Sequence, residues 1–268
     1  MILQTQSSKR IFLVDGSALV FRGFHALPDL RTRDGMPTGA VYGLLTMLHG
    51  LLNEYQPEYG VVAFDRPEPT FRHEAYAAYK ANRAVPPEEL VAQLPWIKEA
   101  LAALRIAVCE RPGVEADDLL GSLSVRAAAE GFEVVIVSGD KDLLQLIGPH
   151  VRVLQSHFKN SKLYGEKEVR ERYHCPPARL PDLFGLMGDS VDNIPGVPGI
   201  GEKTAMKLIE HFGDLDTLYR RLEEVEGKRR SLLEQHREQA FLSRDLARIR
   251  TDIEWEFPWE QARLGGPD

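Results

Sequence analysis

The sequence has few of the residues that secretion and membrane insertion require. Only two of its 268 residues are cysteines, and two cysteines cannot form the disulfide framework that is typical of small secreted domains. No apolar run approaches the roughly 20 residues of a membrane span, and the N-terminal segment MILQTQSSKR has no apolar stretch of signal-peptide length. We therefore expect a cytoplasmic protein without a membrane partner.

Residue patterns for nucleophilic and zinc chemistry are also missing. The eight histidines show no paired ligand spacing such as HxxxH, and no convincing Ser-His-Asp or Cys-His set is present. Positive charges are outnumbered as well, since 33 Lys and Arg residues against 40 Asp and Glu residues give a net charge of −7. Nine particular carboxylates account for this excess, because the net charge becomes +2 without them. The overall charge therefore does not exclude a nucleic-acid partner.

Short runs rich in Val and Ile predict buried strands at 11–15, 61–65, 106–110, 134–138 and 151–155. Helices are expected between them. They are expected at 39–54 with Thr38 as N-cap, at 88–104 after Pro86-Pro87, and at 116–130 before Gly131. This alternation predicts an α/β fold with a mainly parallel sheet covered by helices on both faces. Ligands of such sheets bind beyond the carboxyl ends of the strands.

Carboxylates recur at the predicted strand ends and helix starts. A single one of them is best explained as a turn or N-cap residue, but five separate clusters are harder to explain in this way. Carboxylates that a fold brings together repel one another and need cations, and ligation by oxygen alone indicates Mg²⁺ or Mn²⁺. Glu115 and Asp118 can share one helix face, whereas Asp117 points elsewhere unless it lies in an irregular first turn. The nine carboxylates are Asp15, Asp65, Glu115, Asp117, Asp118, Asp140, Asp142, Asp189 and Asp192.

Two further segments have a composition that suits nucleic acid. Residues 70–83 are predicted to form a helix on which Arg72, Tyr76, Lys80 and Arg83 lie along one stripe, with Tyr79 beside it. Basic and aromatic side chains together suit phosphates and stacked bases, although a solvated helix face explains the stripe equally well. The second segment runs from about residue 194 to residue 205 and is a glycine-rich turn that leads into a helix, where free N–H groups can bind phosphate.

With these motifs the chain resembles the 5′ nuclease domain of bacterial DNA polymerase I, within the flap endonuclease and 5′-3′ exonuclease superfamily. The resemblance extends from about Ile11 to about Glu256. It rests on IFLVDGSALVFRGFHAL, DGMPTGAVYG, VVAFD, FRHEAYAAYKANR, GVEADDLLGSL, VVIVSGDKDLLQL and GLMGDSVDNIPGVPGIGEKTA. It implies a resolvase-like or PIN-like nuclease core over 1–185, with a helical arch at about 66–95. A helix-hairpin-helix subdomain is expected over 186–268.

The resemblance also implies roles for individual residues. A first metal set comprises Asp65, Glu115, Asp117 and Asp140, with Asp15 close by, and a second comprises Asp142, Asp189 and Asp192, with Asp140 between the two. Asp118 is expected to belong to this acidic set, either by contacting a metal ion through a water molecule or by supporting one of the ligands. Lys80 and Arg83 are expected over the scissile phosphate. DNA contacts are expected from Arg22, Arg72, Tyr76, Tyr79, Gly196, Gly199, Gly201, Lys203 and Thr204, with a monovalent cation such as K⁺ at the hairpin.

The expected activity is structure-specific hydrolysis of DNA at 5′ ends and 5′ flaps by a monomer, with two divalent ions about 4 Å apart. Its expected role is primer removal in replication and in repair. Three alternatives remain open: a nuclease that acts mainly on RNA primers, a non-catalytic DNA-binding module, and a phosphotransferase acting on a small substrate. A phosphotransferase would not need the basic and aromatic residues of 70–83 or the glycine-rich turn. The sequence also leaves open whether the chain is a free-standing nuclease or a domain of a polymerase.

Overall fold

The structure is a computed structural model that describes residues 9–156 and 161–265. Its strands are β1 Arg10–Asp15, β2 Tyr59–Ala63, β3 Ala107–Cys109, β4 Glu133–Val137, β5 Val151–Ser156 and β6 Ser161–Tyr164. They form one sheet in the order β3-β2-β1-β4-β5-β6, in which only β6 pairs antiparallel to its neighbour. The predicted parallel sheet is confirmed, with all five predicted strands within two residues of their expected positions. The short edge strand β6 was not predicted.

Helices cover both faces of this sheet. In chain order they are α1 Gly16–Ala26, α2 Gly39–Tyr55, α3 Phe71–Ala75, α4 Glu88–Val91, α5 Leu94–Ala103, α6 Ala116–Ala129, α7 Glu166–Tyr173, α8 Leu180–Met187, α9 Glu202–Phe212, α10 Leu215–Arg220, α11 Gly227–Gln235 and α12 Arg237–Ala247. None of the described helices is long and apolar enough to cross a membrane. Gly131 follows α6 with φ +85°, as expected of a glycine just past a helix end.

The alternation of side chains along β1 explains the two covered faces. Phe12 and Val14 join one apolar cluster with α1, α2 and α5. Ile11 and Leu13 point to the opposite face and join a larger cluster that contains α6 and continues into helices α8 to α12. The C-terminal helices therefore share a hydrophobic core with the sheet, and this core fixes the position of the glycine hairpin that precedes α9.

Two helix predictions are corrected by tertiary contacts. The predicted helix at 88–104 is split into α4 and α5, and Pro95 lies in the first turn of α5, where the missing N–H is not needed. Thr38 precedes α2 but makes no side-chain cap. The first N–H groups of α2, those of Ala40 and Val41, instead donate to Oε1 of the buried Gln93, at 2.9 and 3.3 Å. A residue that is distant in sequence therefore caps this helix.

The predicted helix at 70–83 is wrong beyond Ala75. Helix α3 ends there, and turns follow up to residue 83. Lys80 has φ +54°, and its N–H donates to the carbonyl of Asp192 at 2.9 Å. Asn193 Nδ2 donates to the carbonyl of Ala78 at 2.6 Å. These contacts with the segment after α8 replace helical hydrogen bonds, so the expected arch at 66–95 consists of the short helices α3 and α4 joined by turns and an extended stretch.

The strand order reverses direction between β1 and β4. Successive connections move from β1 to β2 and β3 on one side, and then from β4 to β5 on the other. A crevice forms at such a reversal, beyond the carboxyl ends of the parallel strands, and it is the usual ligand site of this architecture. Asp15 ends β1 and Asp140 lies three residues beyond β4, so both carboxylates are next to this crevice.

Candidate active site

Three carboxylates lie at the carboxyl ends of β1, β2 and β4 and are oriented by short hydrogen bonds. Asp15 caps α1 by accepting the N–H of Ala18 at 2.9 Å, and its other oxygen accepts the hydroxyl of Ser138 at 2.7 Å. Asp65 Oδ1 accepts the N–H of Ala116 at 2.8 Å. Asp140 donates its N–H to Ser138 at 3.0 Å. The strand ends and the first turns of α1 and α6 therefore aim these side chains at one crevice.

Burial and neighbouring carboxylates both disfavour negative charge within this crevice. Burial raises the pKa of Asp15 to about 6, and the charges of Asp65 and Asp140 contribute to the rise. Burial also raises the pKa of Asp117 well above its usual value, and Asp140, Asp15 and Asp65 add to this effect. Asp117 therefore faces the other strand-end acids from the first turn of α6, on a different side from Glu115 and Asp118. Carboxylates in this arrangement are stabilised by cations.

Glu115 meets the basic segment after α3. Lys80 Nζ lies 2.9 Å from Glu115 Oε2 and 3.7 Å from Asp192 Oδ2. The hydroxyl of Tyr79 donates to Glu115 Oε2 at 3.1 Å. Burial lowers the pKa of Lys80, but Glu115 and Asp192 outweigh this and raise it, so Lys80 is a cation in this setting. Arg83 also pairs with Asp192, through its Nη2 atom.

The remaining acids form the other end of the site. Asp140 Oδ1 accepts the N–H of Asp142 at 2.8 Å, and Lys141 Nζ lies 2.8 Å from Asp189 Oδ2. Burial raises the pKa of Asp142 well above its usual value, and Asp140, Asp189 and Asp192 also raise it. Oδ1 of Asp142 is buried and has no hydrogen-bond partner within the described parts of the chain. A buried carboxylate oxygen without a donor is a strong candidate for a cation ligand.

Two neighbouring cavities lie at the two ends of the site. A cavity of about 420 Å³ is lined by Asp15, Asp65, Lys80, Arg83, Asp117 and Asp140, among others. A second cavity, of about 480 Å³, is lined by Asp140, Asp142, Asp189 and Asp192 together with Lys141 and Arg172. Asp140 is common to both cavities. We call the two cavities together the carboxylate groove.

The donors in the carboxylate groove suit a hard divalent cation. They are all oxygens, which Mg²⁺ and Mn²⁺ prefer, and no cysteine or histidine lines either cavity. In residues 9–156 and 161–265, no group of three or more His, Cys, Asp or Glu side chains stands ready to hold a metal ion. In this arrangement Lys80, Arg83 and Lys141 engage oxygens of Glu115, Asp192 and Asp189. The residues therefore fit divalent ions once these cations exchange partners.

The DNA contact expected of Arg72 is corrected by the structure, which places Asp118 as its partner. Asp118 is fully buried, and its oxygens accept from Arg72 at 2.7 and 2.8 Å, from Glu115 N at 3.2 Å and from Arg250 N at 2.9 Å. No oxygen of Asp118 remains for a metal. Arg72 is 2 % exposed and also donates to the carbonyls of Leu246 and Arg248, so it does not reach a DNA backbone. Glu115 and Asp118 share a helix face, as predicted, and this face contacts Arg72.

The other residues predicted to contact DNA divide into accessible and inaccessible ones. Tyr79 is 3 % exposed and cannot stack on a base. Gly196 is buried, and its N–H donates to Ser243 at 3.0 Å while its carbonyl accepts from Gln239 at 2.6 Å, so it cannot bind phosphate. The accessible or partly accessible residues are Arg22, Tyr76, Gly199, Gly201, Lys203 and Thr204. The exposed end of the hairpin and the start of α9 therefore remain a candidate DNA-binding surface.

Comparison with known proteins identifies the family of this chain. Residues 10–174 match the family model of the 5′-3′ exonuclease N-terminal resolvase-like domain, and residues 175–268 match that of the 5′-3′ exonuclease C-terminal SAM fold. The chain belongs to the 5′-3′ exonuclease family. The two matches meet between Tyr173-His174 and Cys175, at the end of α7.

Relatives in the 5′-3′ exonuclease family occur both as parts of polymerases and as separate proteins. DNA polymerase I of Bacillus caldotenax is 45% identical over 263 residues, which cover 97% of this chain and 30% of the polymerase. The chain thus spans about a third of the length of this relative. A 5′-3′ exonuclease of Aquifex aeolicus is 38% identical over 260 residues, covering 97% of this chain and 88% of that protein.

Solved structures of a bacteriophage T5 enzyme have the same fold. The T5 flap endonuclease, in a complex with DNA and metal ions, aligns with a TM-score of 0.74 and 26% identity, covering 90% of each chain. A structure of the T5 5′-exonuclease with bound divalent zinc ions aligns with a TM-score of 0.73, at the same identity and coverage. The resolvase-like sheet with a helical C-terminal region, which the sequence predicted, is confirmed.

Sequence reasoning overlooked the residues that hold the strand-end acids in place. Ser138 binds Asp15 and the N–H of Asp140, while Ser17 accepts the N–H of Asp65 at 2.9 Å. Each serine lies within two residues of a strand-end carboxylate, in DGS and SGD, and this proximity was the available signal. Lys141 and Arg172 were also missed, because each is an ordinary surface-type cation until the fold places it on the carboxylate groove.

Proposed function

We propose that this chain is a divalent-metal-dependent, structure-specific nuclease that hydrolyses DNA phosphodiesters at 5′ ends and 5′ flaps. The observation that carries the proposal is the carboxylate groove itself, which gathers acids from β1, from the segments after β2, β4 and α8 and from the start of α6, with Lys80 and Arg83 in one of its two cavities. Carboxylates alone would repel a polyanion. Carboxylates that hold metal ions beside two cationic side chains suit a phosphodiester under attack.

The acids divide into two groups along the groove. Asp15, Asp65 and Asp117 line the cavity that contains Lys80, and Glu115 lies against Lys80 itself, while Asp142, Asp189 and Asp192 line the other cavity, with Asp140 in both. We assign these eight residues to two Mg²⁺ or Mn²⁺ ions and leave Asp118 out, because Arg72 and two backbone N–H groups occupy its oxygens. Ions bound there would polarise the phosphodiester and provide hydroxide at neutral pH.

Lys80 and Arg83 act as exchangeable cations in this proposal. In the structure they neutralise Glu115 and Asp192. Metal ions at these carboxylates would displace both side chains, which then bind oxygens of the scissile phosphate and stabilise the charge that develops during attack. The pKa of Lys80 is raised by its carboxylate neighbours, although burial opposes this, so it remains an electrostatic partner and does not act as a general base.

The glycine hairpin supplies the second contact with the substrate. Gly199 and Gly201 are exposed, and Lys203 and Thr204 lie in the first turn of α9 directly after them. Backbone N–H groups and a lysine at a helix start bind phosphate without reading base sequence. We propose that the hairpin holds the duplex, with or without a K⁺ ion, while the 5′ single strand passes the segment 66–95. Cleavage then depends on the junction.

The decisive experiment is cleavage of a labelled 5′ flap by the purified protein with Mg²⁺, Mn²⁺, Ca²⁺ or a chelator. We expect cleavage near the junction with Mg²⁺ and Mn²⁺ and none with the chelator. Flaps of several sequences should be cut at similar rates, and an RNA-primed flap tests activity in primer removal. Metal-independent cleavage, or rates that follow base sequence and ignore the junction, would contradict the proposal.

Asp140→Ala is the matching variant, because Asp140 belongs to both cavities of the groove. We expect it to lose cleavage while it still binds the flap, since the hairpin is not altered. Full Mg²⁺-dependent activity of this variant would refute the assignment of the site.

A further inference from the structure

Arg172 lies at the end of the carboxylate groove that is farther from Lys80. It is the penultimate residue of α7 and lines the cavity that contains Asp140, Asp142, Asp189 and Asp192. Its side chain is exposed, and within residues 9–156 and 161–265 it forms no ion pair. The three other cations on the groove, Lys80, Arg83 and Lys141, are all paired with carboxylates.

The guanidinium of Arg172 is held by an aromatic ring. Its Cζ atom lies 4.9 Å from the centroid of Tyr173, whose side chain is buried at 1 % exposure. A cation held against a fixed ring loses less conformational freedom when it binds a ligand, and a guanidinium binds phosphate oxygens in a bidentate manner. Arg172 is therefore prepared to bind a phosphate without first breaking an ion pair.

Arg172 also lies near the helix that follows the hairpin. Its own helix α7 ends at Tyr173, and Nδ1 of the next residue, His174, lies 3.7 Å from Oε1 of Glu210 in α9. Helix α9 begins at Glu202, directly after the exposed glycines of the hairpin. The end of α7 therefore adjoins both the cavity that contains Asp142 and the helix into which the hairpin leads.

We propose that Arg172 binds a backbone phosphate of the cleaved strand, between the scissile phosphate and the phosphates held at the hairpin. This inference rests on the proposed nuclease function and adds a phosphate subsite to it. Arg172 fixes the register of the strand along the carboxylate groove and thereby the position of the cut relative to the junction. Because it contacts the DNA backbone, it contributes affinity but no sequence preference.

The test measures the affinity for a 5′ flap in Ca²⁺ at several salt concentrations. Each phosphate neutralised by a protein cation contributes about −0.9 to the slope of log affinity against log salt. For Arg172→Gln we expect about tenfold weaker binding and a slope smaller in magnitude by about 1. Arg172→Lys keeps the charge and should therefore retain most of the salt slope. It should retain the cleavage position less completely, because an ammonium cannot bind phosphate in a bidentate manner. Arg170→Gln is the matched control, because Arg170 lies on the same helix but pairs with Glu166 at 2.7 Å, and it should behave like the unaltered chain.

Neutral methylphosphonate linkages locate the contact. If each phosphate of the duplex part is replaced in turn, the penalty of Arg172→Gln should disappear at one linkage close to the junction and persist at all others. An unchanged salt slope, or an equal penalty at every linkage, overturns the proposal. A changed Mg²⁺ affinity with an unchanged salt slope also overturns it, since Arg172 would then only balance the acids.

The two levels of the proposal fail in different ways. If the unaltered chain neither binds nor cuts the flap, the nuclease function itself is wrong. If the unaltered chain cuts the flap in Mg²⁺ and Arg172→Gln is indistinguishable from it in affinity, slope and cleavage position, only the phosphate subsite is wrong.

Discussion

Arg72 and Asp118 form a bidentate ion pair in the interior of the protein, with nitrogen–oxygen distances of 2.7 and 2.8 Å. The pair joins three distant parts of the chain, because Arg72 lies in α3, Asp118 lies in α6, and the carbonyls of Leu246 and Arg248 at the end of α12 accept two further guanidinium donors. Arg72 also lies 3.4 Å from Glu115. The ion pair therefore anchors the segment that carries Lys80 to the helix that carries two proposed metal ligands.

Removing one partner of this pair should destabilise the protein strongly. Arg72→Met leaves Asp118 buried without its main partner, and the loss of one member of a buried pair typically costs about 3–5 kcal/mol. Urea unfolding should show this loss. The double variant Arg72→Met, Asp118→Leu should lose clearly less than the sum of the two single variants, because no unpaired charge remains. Additive losses would mean that the pair does not act as a unit.

Asp117→Asn should have the opposite effect on stability, although Asp117 is adjacent to Asp118. Burial, together with Asp140, Asp15 and Asp65, raises the pKa of Asp117, so its ionised form is unfavourable in the folded state. Removing the charge should therefore increase the free energy of unfolding in chelator at pH 7. The stabilisation by Mg²⁺ should shrink in the same variant, because a ligand is lost, and cleavage should fall by more than about 100-fold. Thermal unfolding with and without Mg²⁺ measures the first two effects.

Lys80→Met should lower turnover more than affinity. The proposed contact of Lys80 strengthens as charge develops on the phosphate, and loss of one such group costs roughly 10²–10³-fold in kcat. Lys203→Met is the control, since Lys203 lies on the exposed first turn of α9 and is proposed to contact the duplex. It should weaken binding and reduce the salt slope while turnover at saturation is kept. Single-turnover cleavage at several enzyme concentrations separates the two effects, and a pure affinity loss for Lys80→Met would reduce Lys80 to a backbone contact.

Gly196→Ala and Gly201→Ala should separate the folding of the hairpin from its contact with DNA. Gly196 has φ +59°, and a Cβ there would lie 2.3 Å from the nitrogen of Gly188, so alanine forces the backbone apart. We expect the free energy of unfolding to fall by about 1–3 kcal/mol because of this strain. DNA binding should weaken as well. Among the residues that the structure describes, and apart from its chain neighbours, no atom lies within 4 Å of a Cβ on Gly201. Gly201→Ala should keep the stability and weaken only DNA binding, and unchanged binding would show that DNA does not approach Gly201 closely.

The sequence by itself determined the sheet and the acids at its edge. Runs of Val and Ile are long enough for one buried strand each, and the carboxyl ends of parallel strands meet at one edge of a sheet, so Asp15, Asp65 and Asp140 had to converge. The glycine turn before α9 was also recognisable from its glycines, since glycine adopts positive φ without strain. Gly199 has φ +83° in the structure. These features depend on local periodicity and backbone sterics.

Tertiary structure decided which charged residue meets which partner. Arg72, Lys80 and Arg83 share a helical spacing in the sequence, but α3 ends at Ala75 because Lys80 and Ala78 form hydrogen bonds with the segment after α8. Arg72 is consequently buried against Asp118, while Lys80 and Arg83 lie on the carboxylate groove. Asp118 and Asp117 are adjacent in sequence yet face an arginine and a cluster of acids respectively. Such outcomes depend on contacts between residues far apart in the chain, which no local pattern encodes.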